Sequence, residues 1–260
     1  MCHLSPVNVE NFPAYRSACS GQRLFGSRNL CAHAAGTAES CLLTGPVPVA
    51  LSLCGNVLTL VSHGQPPTDE LIPFITAHSE IREIDSTLSL CAALQKKLGG
   101  ELDSSFFMRC DAPDFPPKDP ALELVADPPP EAVFSILQRS HHYYETHLQF
   151  GPWSAELSKW LELGLSELYG WKLDGTWIGT GRLISHDDAA GVVGAIAVLP
   201  EYRGRGYGSQ ITSFLTKRVL DQGRTPILMT GYDAVAALYQ KVGFIQTSRW
   251  GQLYLSSAAE

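Results

Sequence analysis

The sequence predicts an α/β protein made of two related domains, and three observations support this prediction. Strand-length apolar runs alternate with amphipathic, helix-length segments from about residue 122 to the C-terminus. A fainter strand–helix–strand–helix–strand order recurs between residues 57 and 109. Residues 111–120 contain four prolines, which is typical of an extended linker. We therefore expect a diverged internal duplication, with domains at residues 1–112 and 119–260 and a linker at residues 113–118.

The elements of the first half are short and weakly marked. Strands are expected at residues 57–62, 81–84 and 105–109. Thr68 and Ser86 are placed to cap two helices, which reach about residues 78 and 98. This order matches the later part of the second half, although the residues themselves do not match.

The second half has a clearer pattern. Asp174-Gly175 is typical of a tight hairpin between two strands, and a final hairpin is expected from Phe244 onward. Ser154 and Asp233 are placed as helix N-caps. Strands are predicted at residues 122–126, 168–173, 176–184, 192–199 and 227–230, and helices at residues 131–139, 154–167, 206–222 and 233–242.

Composition excludes several classes of protein. The chain has 260 residues, of which 45% are apolar and 17% charged, with a net charge of −7. Proteins that bind a nucleic-acid backbone normally present a basic face, so we expect no nucleic-acid partner. The most apolar stretch, residues 47–61, is shorter than the roughly 20 residues that a spanning helix needs. Because the N-terminus also lacks a signal-peptide pattern, we expect no membrane partner.

The cysteines indicate a reducing compartment. All seven lie between Cys2 and Cys110, no C-x-x-C occurs, and the number is odd. These features favour free, buried thiols over a disulfide framework, so we expect a cytoplasmic protein.

A glycine-rich turn carries the clearest chemical signal. The apolar strand at residues 192–199 runs into a turn that contains Gly204, Gly206 and Gly208, and a predicted helix follows directly. Such a turn can aim several backbone N–H groups at one point beside the positive end of a helix. Arg203 and Arg205 add positive charge, so the segment suits a pyrophosphate. The plainer interpretation is an ordinary strand–helix turn.

Two common phosphate-binding loops do not fit this turn. A Rossmann G-x-G-x-x-G motif needs glycine where Ser209 stands. A P-loop needs a Gly-Lys-Ser/Thr triplet, which the sequence lacks.

The turn resembles the acyl-CoA-binding motif of the GNAT superfamily of N-acetyltransferases, Arg/Gln-x-x-Gly-x-Gly/Ala, with Arg203, Gly206 and Gly208 at its fixed positions. Residues 237–244 resemble a second family signature, Leu-Tyr-x-Lys-x-Gly-Phe. The resemblance covers roughly residues 119–255 and implies a mixed, mostly antiparallel sheet flanked by helices. It also implies direct transfer of an acetyl group from acetyl-CoA to a primary amine of a small molecule or peptide, with no metal.

The resemblance assigns roles to particular residues. Tyr239 stands at the position of the acid that protonates the leaving thiolate, and a tyrosine pKa of about 10 suits that task. The alternative is a core tyrosine, because Val235, Leu238 and Val242 share its helix face. The residues expected to contact acetyl-CoA are Ile196, Ala197, Val198, Arg203, Gly204, Arg205, Gly206, Tyr207, Gly208 and Ser209.

Two family features are missing. Tyr232 stands where the family often has an asparagine that contacts CoA, and the strand at residues 192–199 offers no carboxylate as general base. A base acting through ordered water therefore stays open beside several side chains. His141 and His142 are adjacent, so they diverge by about 100° on a helix and do not predict a metal pair. The candidate bases are His141, His142, Glu145, His186, Asp187 and Asp188.

Aromatic side chains are expected on the wall that contacts the acceptor. They fall in the helical segment that forms this wall in the family, although most of them are expected to serve packing. These residues are Tyr143, Tyr144, Trp153 and Trp160.

Other interpretations remain open from the sequence. The first half lacks the turn, since residues 23–28 have arginine where the second glycine belongs, so it is expected to be a degenerate acetyltransferase-like domain. The chain as a whole is either an enzyme, a non-catalytic acyl-CoA sensor of the same fold, or an interaction scaffold. A monomer or homodimer is expected.

Overall fold

The computed structural model describes residues 3–116, 119–140, 144–145 and 149–255. The chain divides into two compact units, Met1–Phe107 with Thr247–Glu260, and Met108–Gln246. This division differs from the predicted boundaries, because the linker residues fall in the second unit and the C-terminal segment falls in the first. The C-terminal segment belongs there since Trp250–Tyr254 pairs antiparallel with Glu83–Thr87.

The first unit is a mostly antiparallel sheet with helices. Strand β6 (Glu101–Cys110) begins in this unit and ends in the second. The other strands are β1 (His3–Pro6), β2 (Glu39–Thr44), β3 (Val49–Cys54), β4 (Val57–Ser62) and β5 (Glu83–Thr87), and the helices are α1 (Phe12–Cys19), α2 (Arg23–Ala35), α3 (Thr68–Ala77) and α4 (Leu88–Leu98).

The second unit has the same kinds of element. Strand β12 (Phe244–Tyr254) begins here, and its residues from Thr247 onward belong to the first unit. The other strands are β7 (Leu122–Ala126), β8 (Glu167–Leu173), β9 (Thr176–His186), β10 (Ala190–Val198) and β11 (Thr225–Thr230), and the helices are α5 (Pro130–Ser140), α6 (Phe150–Glu162), α7 (Tyr207–Asp221) and α8 (Asp233–Lys241).

Strand pairing repeats between the units. In the first, β1 to β4 pair antiparallel in chain order and β4 then pairs parallel with β5, across helix α3. In the second, β7 to β10 pair antiparallel and β10 then pairs parallel with β11, across helix α7. This repetition confirms the predicted duplication, and it also includes β1, β2, α1 and α2, which the sequence did not predict.

Apolar side chains form a separate core in each unit. In the first, Leu51 and Leu60 of the sheet pack with Leu90 of α4. In the second, Ile136 and Leu137 of α5 pack with Ala197 near the end of β10. The second core therefore links helix α5 to the strand that precedes the glycine-rich turn.

Several details predicted from the sequence are wrong. The final hairpin is instead the single strand β12. Ser86 does not cap α4, because its hydroxyl donates a 2.9 Å hydrogen bond to the Leu60 carbonyl. The N-cap residues are Pro67, Thr87, Gln149 and Tyr232, where Thr68, Ser86, Ser154 and Asp233 were expected.

The described cysteines are free, as predicted. Cys54 is half-buried, and the buried ones are Cys19, Cys31, Cys41, Cys91 and Cys110. Over the described residues, no helix is both long and apolar enough to cross a membrane.

Candidate functional site

Strand β10 is irregular where the resemblance places the acyl group. Gly194 pairs with Arg182 and Ala197 with Thr180, so β10 advances three residues while β9 advances two. This is a β-bulge, a device that re-aims the backbone and is common beside active sites. Ala195, inside the bulge, has a φ of +49°, which costs a residue with a Cβ on the order of 1–2 kcal/mol.

Beyond the bulge, β10 separates from β11. Their parallel pairing runs from Ala190 opposite Thr225 to Val192 opposite Ile227. Within the described chain, the later residues of β10 have no pairing with β11. A backbone edge near Val198 is therefore free to meet a ligand.

The polar backbone groups of Val198 face this edge. The Leu199 N–H donates a 2.9 Å hydrogen bond to the Ile178 carbonyl on the β9 side. Because successive residues of an antiparallel strand alternate between its two edges, both the N–H and the carbonyl of Val198 point away from β9. The carbonyl accepts a 3.0 Å hydrogen bond from Arg203 Nε, which leaves the N–H as a donor toward the open edge.

Six consecutive N–H groups follow in the glycine-rich turn, from Gly204 to Ser209. None of the six has a hydrogen-bond acceptor within the part of the chain that the structure describes. The flanking N–H groups do have acceptors, since Arg203 donates to Pro200 and Gln210 donates to Gly206. A run of free donors at a helix start is a ready anion site.

Left-handed backbone shapes this turn. Gly204 has a φ of +76° and Gly206 a φ of +82°, values that glycine adopts without a steric penalty. Helix α7 begins at Tyr207, so its positive end adds to the field of the free donors. A Cβ placed on either glycine meets no atom within 4 Å, which leaves the approach to the backbone open.

The two arginines of the turn have different contacts. Arg203 donates to backbone carbonyls of Val198 and Ser140 through Nε and Nη2. Arg205 lies over the Tyr202 ring, 5.6 Å from its centroid, and makes only a long 3.5 Å contact with the Glu201 carbonyl. Arg205 is therefore the better placed of the two to meet a ligand phosphate.

Tyr239 lies on α8 with its ring packed 6.0 Å from that of Phe244. The residue is 8% exposed. Burial raises the pKa of Tyr239 above its ordinary value, and Tyr144 adds to that rise. In the described residues nothing hydrogen-bonds its hydroxyl. A core tyrosine normally pairs its hydroxyl, so this geometry favours an acid poised for a ligand.

Aromatic residues from the acceptor-side segment pack against α5 and α6. Tyr144 and Trp153 pack on the apolar cluster that includes Ala197. Trp160 is buried, and Arg182 lies 5.6 Å from its ring centroid. Tyr143 lies outside the described residues.

The candidate bases are scattered. His186 ends β9 and Asp187 follows it, beside the start of β10, so they lie roughly 25 Å along that strand from Val198. This distance argues against His186, Asp187 and the adjacent Asp188 as the base. Glu145, by contrast, lines an open cleft of about 420 Å³ with Arg139 and Glu201.

His141 and His142 lie outside the described residues. Across the described part of the chain, no group of three or more His, Cys, Asp or Glu side chains could hold a metal ion.

The first unit lacks the glycine-rich turn, as expected. The stretch between β4 and α3 is residues 63–67, in which Gly64 is the only glycine. The look-alike at residues 23–28 lies inside helix α2 and follows no strand.

Two residues that shape the site have no signal in the sequence. Ala195 adopts its positive φ without any signal in residue type. Ser140 contributes a backbone carbonyl, which every residue has, so its type carries no information about the contact.

Comparisons with solved structures identify the fold. A Drosophila protein is 12% identical, with a TM-score of 0.70 over 98% of this chain and 99% of that one. A tandem GNAT protein from the clavulanic acid biosynthesis pathway is 12% identical, with a TM-score of 0.64 over the whole of both chains. A GNAT acetyltransferase from Colwellia psychrerythraea is 16% identical, with a TM-score of 0.62 over 98% and 100%. Both units therefore have a GNAT-like fold, arranged in tandem in the sequence.

A comparison with protein families identifies the second half. The model of the acetyltransferase (GNAT) family matches residues 131–244, so this region is a GNAT acetyltransferase domain. The general activity of that family is acetyl transfer from acetyl-CoA. No curated protein sequence matches the chain.

Proposed function

We propose that the protein is an acetyl-CoA-dependent N-acetyltransferase whose site lies in the second unit. The observation that carries this proposal is the run of six free N–H groups from Gly204 to Ser209 beside the open edge of β10. A pyrophosphate accepted by these groups would place the rest of acetyl-CoA along that edge. The contacts expected for Ile196, Ala197 and Tyr207 belong to the same proposal.

The thioester lies at the end of β10 in this mechanism. The Val198 N–H points to the open edge and donates to the thioester carbonyl, where negative charge develops. Donors of this kind contribute most when they are held in place before the reaction, as the strand holds Val198.

Transfer then proceeds by direct attack. The neutral amine nitrogen forms a bond to the carbonyl carbon, and the carbon–sulfur bond breaks as the tetrahedral intermediate collapses. The departing thiolate takes the hydroxyl proton of Tyr239, the proton of the former amine passes to water, and Tyr239 regains a proton from water before the next turnover. Support for the acid role comes from the Tyr239 hydroxyl, which has no hydrogen-bond partner among the described residues and is protonated at neutral pH.

The acceptor is proposed to be a primary amine of a small molecule or peptide. Its approach would follow the side of α5 and α6, where Tyr144 and Trp153 pack. A cytoplasmic location, inferred from the free thiols, is part of the same proposal.

A free-thiol assay tests the proposal. The protein is mixed with acetyl-CoA and a panel of amines that contains an aminosugar, a polyamine and a lysine peptide. We expect amine-dependent release of CoA. Binding of acetyl-CoA without any release above the water background would favour the non-catalytic sensor, which the same free donors also support.

A further inference from the structure

The guanidinium of Arg203 connects the end of β10 to the end of helix α5. Its Nε donates to the Val198 carbonyl at 3.0 Å, and its Nη2 donates to the Ser140 carbonyl. Val198 is the last residue of β10, and Ser140 is the last residue of α5. One side chain thus hydrogen-bonds two elements that are 50 residues apart in sequence.

Both acceptors are backbone carbonyls. Ser140 lies in the last turn of α5, where a cation interacts favourably with the helix dipole. The Val198 carbonyl faces the edge from which β11 has separated. Arginine suits this pair because its donors form a rigid planar fork, whereas the ammonium of lysine is a single point.

The neighbouring contact between the same segments is weaker. Arg139 forms a 2.8 Å ion pair with Glu201, but the two side chains are 55% and 50% exposed. Exposed pairs of this kind contribute little. Arg203 is therefore the main polar connection between α5 and the segment that follows β10.

We propose that Arg203 is a positioning residue that holds helix α5, on the acceptor side, against the end of strand β10. In this proposal Arg203 does not bind the phosphates. This inference rests on the proposed function and assigns a different task to each arginine of the turn. Arg205, whose guanidinium makes no short hydrogen bond within the described chain, supplies the charge for the phosphates.

Loss of each arginine is therefore expected to change a different quantity, the amine KM for Arg203 and the acetyl-CoA affinity for Arg205. Loss of Arg203 releases the last turn of α5, so the amine KM rises more than kcat falls, while acetyl-CoA affinity stays close to that of the wild type. Loss of Arg205 weakens acetyl-CoA and leaves α5 in place.

The test compares Arg203→Gln with Arg205→Gln by calorimetry with acetyl-CoA and by hydrogen exchange of residues 133–140. For Arg203→Gln we expect a Kd within about threefold of the wild type and exchange about tenfold faster, because a hydrogen bond to a charged group is lost. For Arg205→Gln we expect a Kd about tenfold weaker and unchanged exchange, as loss of a charge-assisted contact predicts. The amine KM, measured with whichever panel amine is turned over, should rise in Arg203→Gln alone.

A reversed result would overturn the proposal. If Arg203→Gln weakens acetyl-CoA about tenfold and leaves exchange unchanged, Arg203 is a phosphate ligand. Arg203→Lys keeps the charge but loses the planar set of donors, so its hydrogen-exchange rate should lie between those of the wild type and Arg203→Gln. A wild-type exchange rate in Arg203→Lys would also contradict the contact with two carbonyls. If the wild type fails to bind acetyl-CoA, the proposed function is wrong, and the exchange comparison still tests the contact.

Discussion

Gln252 donates a 3.0 Å hydrogen bond from its side-chain amide to the Glu83 carboxylate. The side-chain oxygen of Gln252 accepts a 2.8 Å hydrogen bond from the Ser105 hydroxyl. The Gln252 amide nitrogen is therefore the atom that faces Glu83. Asp85 and Glu83 are also joined by a side-chain hydrogen bond, which needs a proton between the two carboxyl groups. Burial first, and the charge of Glu83 second, raise the pKa of Asp85 to about 8, although Arg28 opposes the shift.

This pair makes the stability of the first unit depend on pH. The pKa of Asp85 is raised on folding, so its contribution is fully present below the ordinary value of 3.8 and is lost as pH rises through about 8. We expect the wild type to melt at a lower temperature at about pH 9 than at about pH 5, since the folded state then gives up its extra proton.

Asp85→Asn should remove most of that difference, because the amide stays neutral and can still donate to Glu83. Asp103→Asn, at an exposed carboxylate, is the matched control and should keep the wild-type dependence. Equal pH dependence in Asp85→Asn and the wild type would show that Asp85 is ionised in the folded state.

In the second unit, Glu167 should make stability depend on pH in the opposite sense. Burial acts to raise its pKa, but hydrogen bonds from Arg218, Tyr169 and Gln222 outweigh burial and lower it. Its contribution to stability is therefore present above the ordinary value of 4.5 and lost as pH falls through the lowered pKa. Acid titration should destabilise the wild type more than Glu167→Gln, with the exposed Glu123→Gln as control.

Tyr239→Phe tests the catalytic acid. The hydroxyl has no hydrogen-bond partner among the described residues, so we expect little change in melting temperature or acetyl-CoA affinity. We expect kcat to fall about 10²- to 10⁴-fold, as for other acid catalysts. Because its pKa is raised, ionisation of Tyr239 should limit the wild-type rate only above about pH 10. A kcat within about threefold of the wild type, with chemistry limiting, would make Tyr239 a packing residue.

Gly206→Val tests the phosphate-binding turn, and Gly223→Val is its control. Gly206 has a φ of +82° and Gly223 a φ of +72°, and a Cβ on either meets no atom within 4 Å. Both variants should lose on the order of 1–3 kcal/mol of stability through backbone strain. Only Gly206→Val should lose acetyl-CoA affinity in calorimetry, because Gly206 lies within the run of free N–H groups and Gly223 does not. Equal affinities in the two variants would place the phosphates elsewhere.

Gly208→Val addresses a different part of the turn. A Cβ at Gly208 lies 3.2 Å from Leu238 Cδ1, so this variant combines a tight contact with the loss of open backbone. Calorimetry should show weaker acetyl-CoA binding here as well. Unchanged affinity in a folded variant would restrict the site to Gly204–Tyr207.

The sequence predicted much of the second unit because its signals are local. Residues 122–126 form a strand with the predicted bounds, and the Asp174-Gly175 hairpin is present. Gly204 and Gly206 of the turn mark positive φ values that few other residues adopt.

The missed elements lack such signals. Helix α2 buries Gly26, Ser27 and Asn29 together with Leu24 and Phe25, so small and polar residues interrupt its apolar pattern. The placement of Trp250–Tyr254 beside β5 depends on pairing across more than 160 residues, which periodicity within a segment does not report. The Arg203 contacts were missed because both acceptors are backbone carbonyls.

The most direct test of the central claim follows the acetyl group itself. Isotopically labelled acetyl-CoA is incubated with the wild type and the amine panel, and the products are analysed by mass spectrometry. The account predicts a labelled amide on at least one amine, formed by the wild type and by Gly223→Val and lost in Gly206→Val. If acetyl-CoA binds to the wild type while its label appears only in acetate or remains on CoA, the protein is not an N-acetyltransferase for these amines and the central claim is contradicted.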